Sequence, residues 1–387
     1  MRDLQLNPEH AELRQAAARV ARELYGPKAA QWDRDQSDFP DEERRRLGEL
    51  GYLGIALPEL YGGGSAPAFE ALIVIEELAK VCRPAAFQVF ESNTGPAQVV
   101  AQLGTEAQKA EFLPPVVKGD ASMAVAISEP DAGSAATDMR TRAVREGDHY
   151  RVNGTKRWVS NSGHAEFYLL YARLSDAPGA KGVGALIVDK NAGGISFGAR
   201  ERLMGFHGIP SRDIILEDVL VPARNLLADE GDFAKLFRAF SMERLGNATV
   251  SLGIGQAALD RSIEYVQTRQ QFGKPLIEFQ AVQMTLADMI VQMEAARLLV
   301  YRAALNAGQG LPDSFEVSVA KRAANEAAKQ VSDLAIQLHG GNGFSEEYGI
   351  ERLHRDAHGW AIAGGTPTMQ RIRIVSEKLG RRFDQRS

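Results

Sequence analysis

Over residues 8–120 apolar positions recur every three to four residues, the spacing of helices with one buried face. Residues 11–24, rich in Ala, Arg, Glu and Leu, are predicted to be helical. Residues 68–81 repeat the pattern, with Leu72, Ile73, Ile75, Leu78 and Ala79 able to form one face. Gly62-Gly63-Gly64 breaks the helices between them.

From about 121 to 230 short apolar runs replace the helical period. Residues 167–171 and 183–188 read as strands, separated by turn signals at Glu146-Gly147-Asp148, Asn153-Gly154 and Asp176-Ala177-Pro178-Gly179. Residues 141–144 and 149–152 read as a hairpin. Short strands at this spacing predict a sandwich or barrel. After 231 the helices return and lengthen, at 248–268, 281–306 and 314–338, as in a helical bundle. The expected fold class is therefore multidomain α and β. It comprises an N-terminal helical domain (1–120), a middle β-barrel or sandwich domain (121–230) and a C-terminal helical bundle (231–387).

Composition narrows the function. The chain of 387 residues is 44% hydrophobic and 25% charged, which suits packed cores and argues against disorder. At about 150 residues per domain this length predicts two or three domains. A net charge of −5 offers no general surface for nucleic acid or membranes, so an anionic cofactor needs local donors. The single cysteine, Cys82, excludes an intrachain disulfide. Met1-Arg2-Asp3-Leu4-Gln5 carries no secretory signature and no apolar stretch is long enough to span a bilayer, so the expected location is cytoplasmic.

Three short patterns carry little chemistry. Gly253-Ile254-Gly255-Gln256-Ala257-Ala258 matches a dinucleotide fingerprint, but both flanks are helical where a strand should precede it. Close helix packing is the better account. His354-Arg355-Asp356-Ala357-His358 lacks further ligands at zinc spacing and reads as a polar helix end. Gly340-Gly341-Asn342-Gly343 is as consistent with a helix stop as with a phosphate loop.

Five segments say more together. Ala126-Ile127-Ser128-Glu129-Pro130-Asp131-Ala132-Gly133-Ser134 follows an apolar strand and can present backbone N–H groups and hydroxyls. Asn153-Gly154-Thr155-Lys156-Arg157-Trp158-Val159-Ser160-Asn161 places a tryptophan near a serine, a pairing that can wall a flat heteroaromatic ring and bond its edge. Arg269-Gln270-Gln271-Phe272-Gly273 interrupts two long helices and offers a guanidinium fork for pyrophosphate. Gln337-Leu338-His339-Gly340-Gly341 and Ala363-Gly364-Gly365-Thr366-Pro367-Thr368 are glycine-rich openings at helix ends, where backbone donors suit phosphate or ribityl oxygens.

In this order and spacing the segments resemble the signature of the acyl-CoA dehydrogenase family, over nearly the whole chain to Leu379. The resemblance implies FAD as cofactor, an acyl-CoA substrate, an electron-transfer flavoprotein as acceptor, a four-helix C-terminal bundle and a homo-oligomer, usually a tetramer. It implies that Ile127, Ser128, Gly133 and Ser134 line the flavin, Ser134 also lying near the CoA arm. Trp158, with Val159, flanks the isoalloxazine, and Ser160 reaches its N5 side. Arg269, Gln271, Phe272, Gln280, Gln337, Gly340 and Gly341 meet the FAD of a neighbouring subunit. Thr366 and Thr368 contact FAD phosphates and adenosine, and Arg244 and Gly365 contribute to substrate binding.

The chain departs from the family at the catalytic base. Most members carry a glutamate where this sequence has Gly364. Glycine cannot take a proton, although its N–H can still donate to a thioester carbonyl. Ser241-Met242-Glu243-Arg244-Leu245 matches the alternative placement in isovaleryl-CoA and long-chain acyl-CoA dehydrogenases, where the base lies on a bundle helix. Glu91, in Phe90-Glu91-Ser92-Asn93, matches the acyl pocket and resembles the acidic base of cyclic acyl-CoA dehydrogenases. The sequence also resembles 3-sulfinopropionyl-CoA desulfinases, but the arginine they direct at the sulfinate aligns with Phe87, and Glu243 is a residue they lack. α,β-Dehydrogenation with Glu243 as base is the expected activity. A carrier-protein thioester dehydrogenase and a flavin- and CoA-binding protein without turnover are the alternatives.

Overall fold

The protein was analysed as a computed structural model that describes residues 6–381 and 383. Residues 1–5, read above as carrying no leader, lie outside this range. Seven helices come first: α1 (Pro8–Val20), α2 (Gly26–Asp35), α3 (Asp41–Glu49), α4 (Ala68–Val81), α5 (Arg83–Asn93), α6 (Pro96–Leu103) and α7 (Glu106–Lys118). The helix expected over 11–24 starts earlier because the Asn7 side chain caps it, accepting from His10 N at 2.7 Å. It continues through a π-turn at Ala21–Tyr25 into α2, where Pro27 sits in the first turn and displaces no helical hydrogen bond. α4 matches the predicted span and is buried almost all round, so it lies in the middle of the helical layer. A capping box, Thr105 with Gln108, starts α7.

The middle region is one eight-stranded sheet of β1 (Met123–Ala126), β2 (Arg142–Glu146), β3 (His149–Ser160), β4 (Phe167–Arg173), β5 (Val183–Asp189), β6 (Ile195–Phe197), β7 (Ser211–Pro222) and β8 (Leu226–Ala228). The order is β6-β7-β3-β2-β4-β5-β8, with β1 parallel beside β4. The predicted hairpin is β2–β3, with Glu146 opposite His149. β4 and β5 read as unbroken apolar runs because both faces are covered: Leu170 and Leu186 join one core, Leu169 and Ile187 another that includes Val116 of α7.

The C-terminal part contains α8 (Phe233–Thr268), α9 (Gln280–Ala307), α10 (Ser314–His339), α11 (Gly341–Phe344), α12 (Ile350–Ile362) and α13 (Pro367–Leu379). A ribbon of β9 (Gln270–Gln271) and β10 (Lys274–Pro275) joins α8 to α9. α10 packs against α8, α9, α12 and α13. α8 begins at Phe233 rather than at 248. Its first turns hide from the apolar period because Ser241, Glu243, Arg244 and Asn247 occupy buried positions.

A Cβ on Gly253 would collide with Ala79 Cβ of α4 at 2.7 Å, and one on Gly255 with Met293 Sδ of α9 at the same distance. The glycine pattern there serves helix contact, as expected. The histidine-rich pattern proves to lie inside α12 rather than at its end. Its Asp356 accepts from Arg83 Nε of α5 at 2.8 Å, and Arg355 Nη2 donates to Asp33 Oδ2 of α2 at 2.7 Å. These pairs, the first buried and the second half-buried, fasten the bundle to the N-terminal helices. Among the described residues no group of side chains could hold a metal ion, and no helix is long and apolar enough to cross a membrane.

Candidate active site

Glu243 lies on α8 with 5% of its surface exposed, and its Oε2 is buried without a hydrogen-bond partner among the described residues. Facing it is the turn between α12 and α13. Gly364 and Gly365 there have φ of 65° and 94°, a tandem left-handed turn that glycine adopts without strain. A Cβ built on Gly364 would lie 2.9 Å from Glu243 Oε2 and 3.0 Å from Oε1. The glutamate side chain therefore fills the space a side chain at 364 would enter. Burial raises the Glu243 pKa, opposed by the positive charges of Lys321 and Arg244.

Two further buried polar groups face this carboxylate. Glu91 on α5 has an unpartnered Oε2, and burial and then the Glu243 charge push its pKa well above the usual range. The Tyr171 hydroxyl on β4 is likewise buried and unpartnered, and its electrostatic neighbours are Arg244 and Glu243. Arg244 has no carboxylate partner among the described residues. Its guanidinium stacks on Phe237 at 4.1 Å, and Arg373 of α13 lies over the same ring at 4.4 Å. Two cations around one ring make the locality attractive to an anion.

On the middle region, Ile127 and Ser128 are half-buried while Gly133 and Ser134 are exposed. The loop is held by a pair that sequence reasoning passed over. Lys156 Nζ, wholly buried, donates to Glu129 Oε1 at 2.8 Å and to Ile127 O at 3.0 Å. Glu129 also accepts from the backbone of Arg140 and Thr141. Burial opposes ionisation of Glu129, but Lys156 and these donors outweigh it and lower its pKa. The β3–β7 register slips between Lys156 and Val159, a bulge where Trp158 adopts φ of 60°. The bulge leaves Trp158 52% exposed beneath the Arg157 guanidinium, while Val159 is buried and Ser160 half-buried.

The third and fourth segments meet. Arg269, Gln271, Gln337, Gly340 and Gly341 line one open cleft of about 400 Å³ with Tyr265 and His339. Arg269, Gln271, Gln280 and Gln337 are exposed, and Phe272 is 94% exposed at the ribbon's turn. Gly340, at φ 59°, ends α10 and leaves open space on the side where a Cβ would project. Thr366 caps α13, its hydroxyl accepting from Met369 N, and Thr368 is exposed in the first turn. The chain thus brings the cleft residues together, and Glu243, Glu91 and Gly364 together. It places Trp158 and Phe272 at the surface.

Family models of the acyl-CoA dehydrogenase N-terminal, middle and C-terminal domains match residues 7–120, 124–219 and 233–379. The chain belongs to the acyl-CoA dehydrogenase family. It is 38% identical to a 3-sulfinopropanoyl-CoA desulfinase of Paraburkholderia xenovorans, over 99% of both chains. It is 36% identical to a caffeyl-CoA reductase–Etf complex subunit of Acetobacterium woodii, over 89% of this chain and 91% of that one. Butyryl-CoA dehydrogenase from Megasphaera elsdenii superposes with a TM-score of 0.93 at 34% identity, covering 97% of this chain and 100% of that one. As an acyl-CoA dehydrogenase the protein is an oxidoreductase, and the family cofactor is FAD. The residues fit that cofactor: among the described residues the Arg269 guanidinium makes no ion pair or side-chain hydrogen bond, and it lines the cleft beside the open backbone of Gly340 and Gly341.

Sequence reasoning missed Lys321, Asn325 and Asn247 as well as the Glu129–Lys156 pair. A signal existed for the first two. Val317, Ala320, Ala324, Ala328 and Val331 mark the buried face of α10, and Lys321 and Asn325 fall on it.

Proposed function

We propose that the protein oxidises the Cα–Cβ bond of an acyl-CoA thioester with Glu243 as the base. The observation that carries this reading is the overlap of the Glu243 carboxylate with the space in front of Gly364. The carboxylate that most members carry on one element is supplied here from another, and both address one locality. The thioester acidifies the substrate α-hydrogen. The Gly364 N–H donates to the carbonyl oxygen and stabilises the charge that develops there. Glu243 takes the α-proton, and its burial raises its basicity toward that of a weak carbon acid. Bound FAD supplies the acceptor for the β-hydride. Trp158, Ser128, Ser134 and Ser160 would wall the ring and bond its edge, Arg269 would fork onto the pyrophosphate, and Arg244 would steer the CoA moiety. Glu91 is the second candidate base.

We also infer self-association and an electron-transfer flavoprotein as electron acceptor. The relative from Acetobacterium woodii is itself a subunit of an Etf complex. α9 exposes Met284, Val291, Leu298 and Leu305, one at every seventh position, as a seam for a second copy. An incomplete cleft around Arg269 fits a site finished by that copy.

The desulfinase reading rests on similarity across the whole chain and on Gly364. Glu91 and Glu243 oppose it, since neither carboxyl offers a sulfinate a positive charge and either one, when ionised, would repel it. Phe87 packs against Phe90 and Trp360 and offers no charge. Anaerobic titration of the purified yellow holoenzyme with butyryl-, isovaleryl-, glutaryl- and 3-sulfinopropanoyl-CoA decides. Bleaching of the flavin by one of the first three is expected. Sulfite release without bleaching would overturn the dehydrogenase reading.

A further inference from the structure

Lys321 is wholly buried on α10 and among the described residues its Nζ makes one hydrogen bond, to Asn325 Oδ1 at 2.8 Å. An ammonium has three donors to satisfy, and removing it from water is costly unless a charge repays it. Among the described residues no carboxylate lies within ion-pair distance of it. Its network leads to the active site instead. Asn325 Nδ2 donates to Ser251 Oγ at 2.7 Å and to Asn247 Oδ1 at 3.2 Å, both on the Glu243 helix. Asn247 Nδ2 in turn donates to Trp360 O at 3.1 Å and Ala363 O at 3.4 Å, the backbone leading into Gly364. One chain of side chains thus joins α10, the helix of the base and the loop of the carbonyl donor.

We propose that Lys321 is a positioning residue for the dehydrogenation: it anchors this network and serves as the counter-charge to Glu243. The inference rests on Glu243 being the base only for its kinetic consequence. Glu91 faces it from α5, Tyr171 from β4 and Lys321 from α10, while Arg244 adjoins it on α8 with Arg373 of α13 behind. The charged residues of α12 are engaged elsewhere, Arg355 with Asp33 and Asp356 with Arg83. Of the cations, Lys321 does most to hold the Glu243 carboxylate ionised against the pull of burial, and Glu243 in turn opposes the lowering of the Lys321 pKa by burial.

The test is a pH titration of Glu243 itself in the FAD-loaded enzyme. The carboxyl stretch is isolated as the infrared difference between wild type and Glu243→Gln. Lys321→Met keeps the length and removes the charge. It should move the Glu243 titration up by at least one pH unit, a tenfold change in its protonation ratio. Asn325→Asp keeps the lysine but places a carboxylate on it, and should shift the titration the same way; it decides the matter if Lys321→Met fails to fold. An unmoved titration in a folded, flavin-loaded variant would overturn the proposal. The pH profile of flavin reduction separates this from the base assignment. If Glu243→Gln reduces flavin normally, the base reading fails while the titration result stands.

Discussion

Gly364 and Glu243 compete for one volume: a Cβ on the glycine would stand 2.9 Å from the glutamate's Oε2. A carboxylate can therefore come from α8 or from the α12–α13 turn, but the two cannot both be accommodated without displacement. Glu243→Gln keeps the volume and removes the charge. Flavin reduction in rapid-mixing experiments should slow by about 10²–10⁴, the range of a lost general base, with FAD content unchanged. Glu91→Gln should slow it far less; the opposite ranking would make Glu91 the base.

The exchange of the two positions is a sharper experiment. Gly364→Glu alone should impair folding or binding, because the new side chain meets the Glu243 carboxylate. Paired with Glu243→Ala, the space is vacated and reduction should recover in part. Full recovery is not expected: φ of 65° at residue 364 costs a non-glycine residue roughly 1–2 kcal/mol. Stopped-flow traces of wild type, both single variants and the pair give the answer.

The Glu129–Lys156 pair supports the loop that carries Ser128 and Ser134. Lys156→Met strands a buried carboxylate and should destabilise the protein by about 3–5 kcal/mol, whereas Glu129→Gln with Lys156→Met should cost much less. Urea unfolding measures both. The single variant should also lose FAD on gel filtration while the double retains more of it.

Asp33 links α2 to α12 through His207 and Arg355. Burial resists its ionisation, but the hydrogen bonds from His207 and Arg355 prevail and hold its carboxyl far below 3.8. The same hydrogen bond raises His207 above 6.5. The Asp33 contribution is thus present above about pH 4 and fades as pH falls through its depressed folded value. The His207 contribution is full below about pH 6.5 and fades as pH rises through its elevated one. Thermal stability should decline between mildly acidic and alkaline pH, and Asp33→Asn should flatten that decline while lowering stability by roughly 1.5–3 kcal/mol.

The α9 seam is tested by Val291→Glu with Leu298→Lys. Both side chains are about half exposed or more, so the fold should survive. Light scattering should show a smaller particle, and that particle should lose its yellow colour on dilution. A large, fully flavinylated particle would dismiss the seam.

The sequence revealed most where chemistry follows from local pattern. α4 was delimited to the residue because apolar positions fill it, and the β2–β3 hairpin followed from its turn glycine. Glu243 and Gly364 could be paired in advance only through the family resemblance, since 121 positions separate them and no local rule joins a helix to a distant turn. The start of α8 was hidden by the buried polar groups that make it useful: Ser241, Glu243 and Asn247 read as solvent-facing in a linear scan. Lys156 was invisible because the burial of a lysine is a property of its partner, here Glu129, 27 positions back along the chain. Lys321 was legible only from its place on the buried face of α10, four residues before its partner Asn325.

Glu243 lies within α8 and Arg269 is the residue that caps its end, with unbroken helix between them. In such a rod every residue adds about 1.5 Å and turns the next by about 100°. A single insertion or deletion between them would swing Arg269 to another face of the helix while Glu243 stayed put. The spacing between these two positions is thus a length that drift cannot alter one codon at a time. The loop from α9 to α10 carries no such gauge and can lengthen freely.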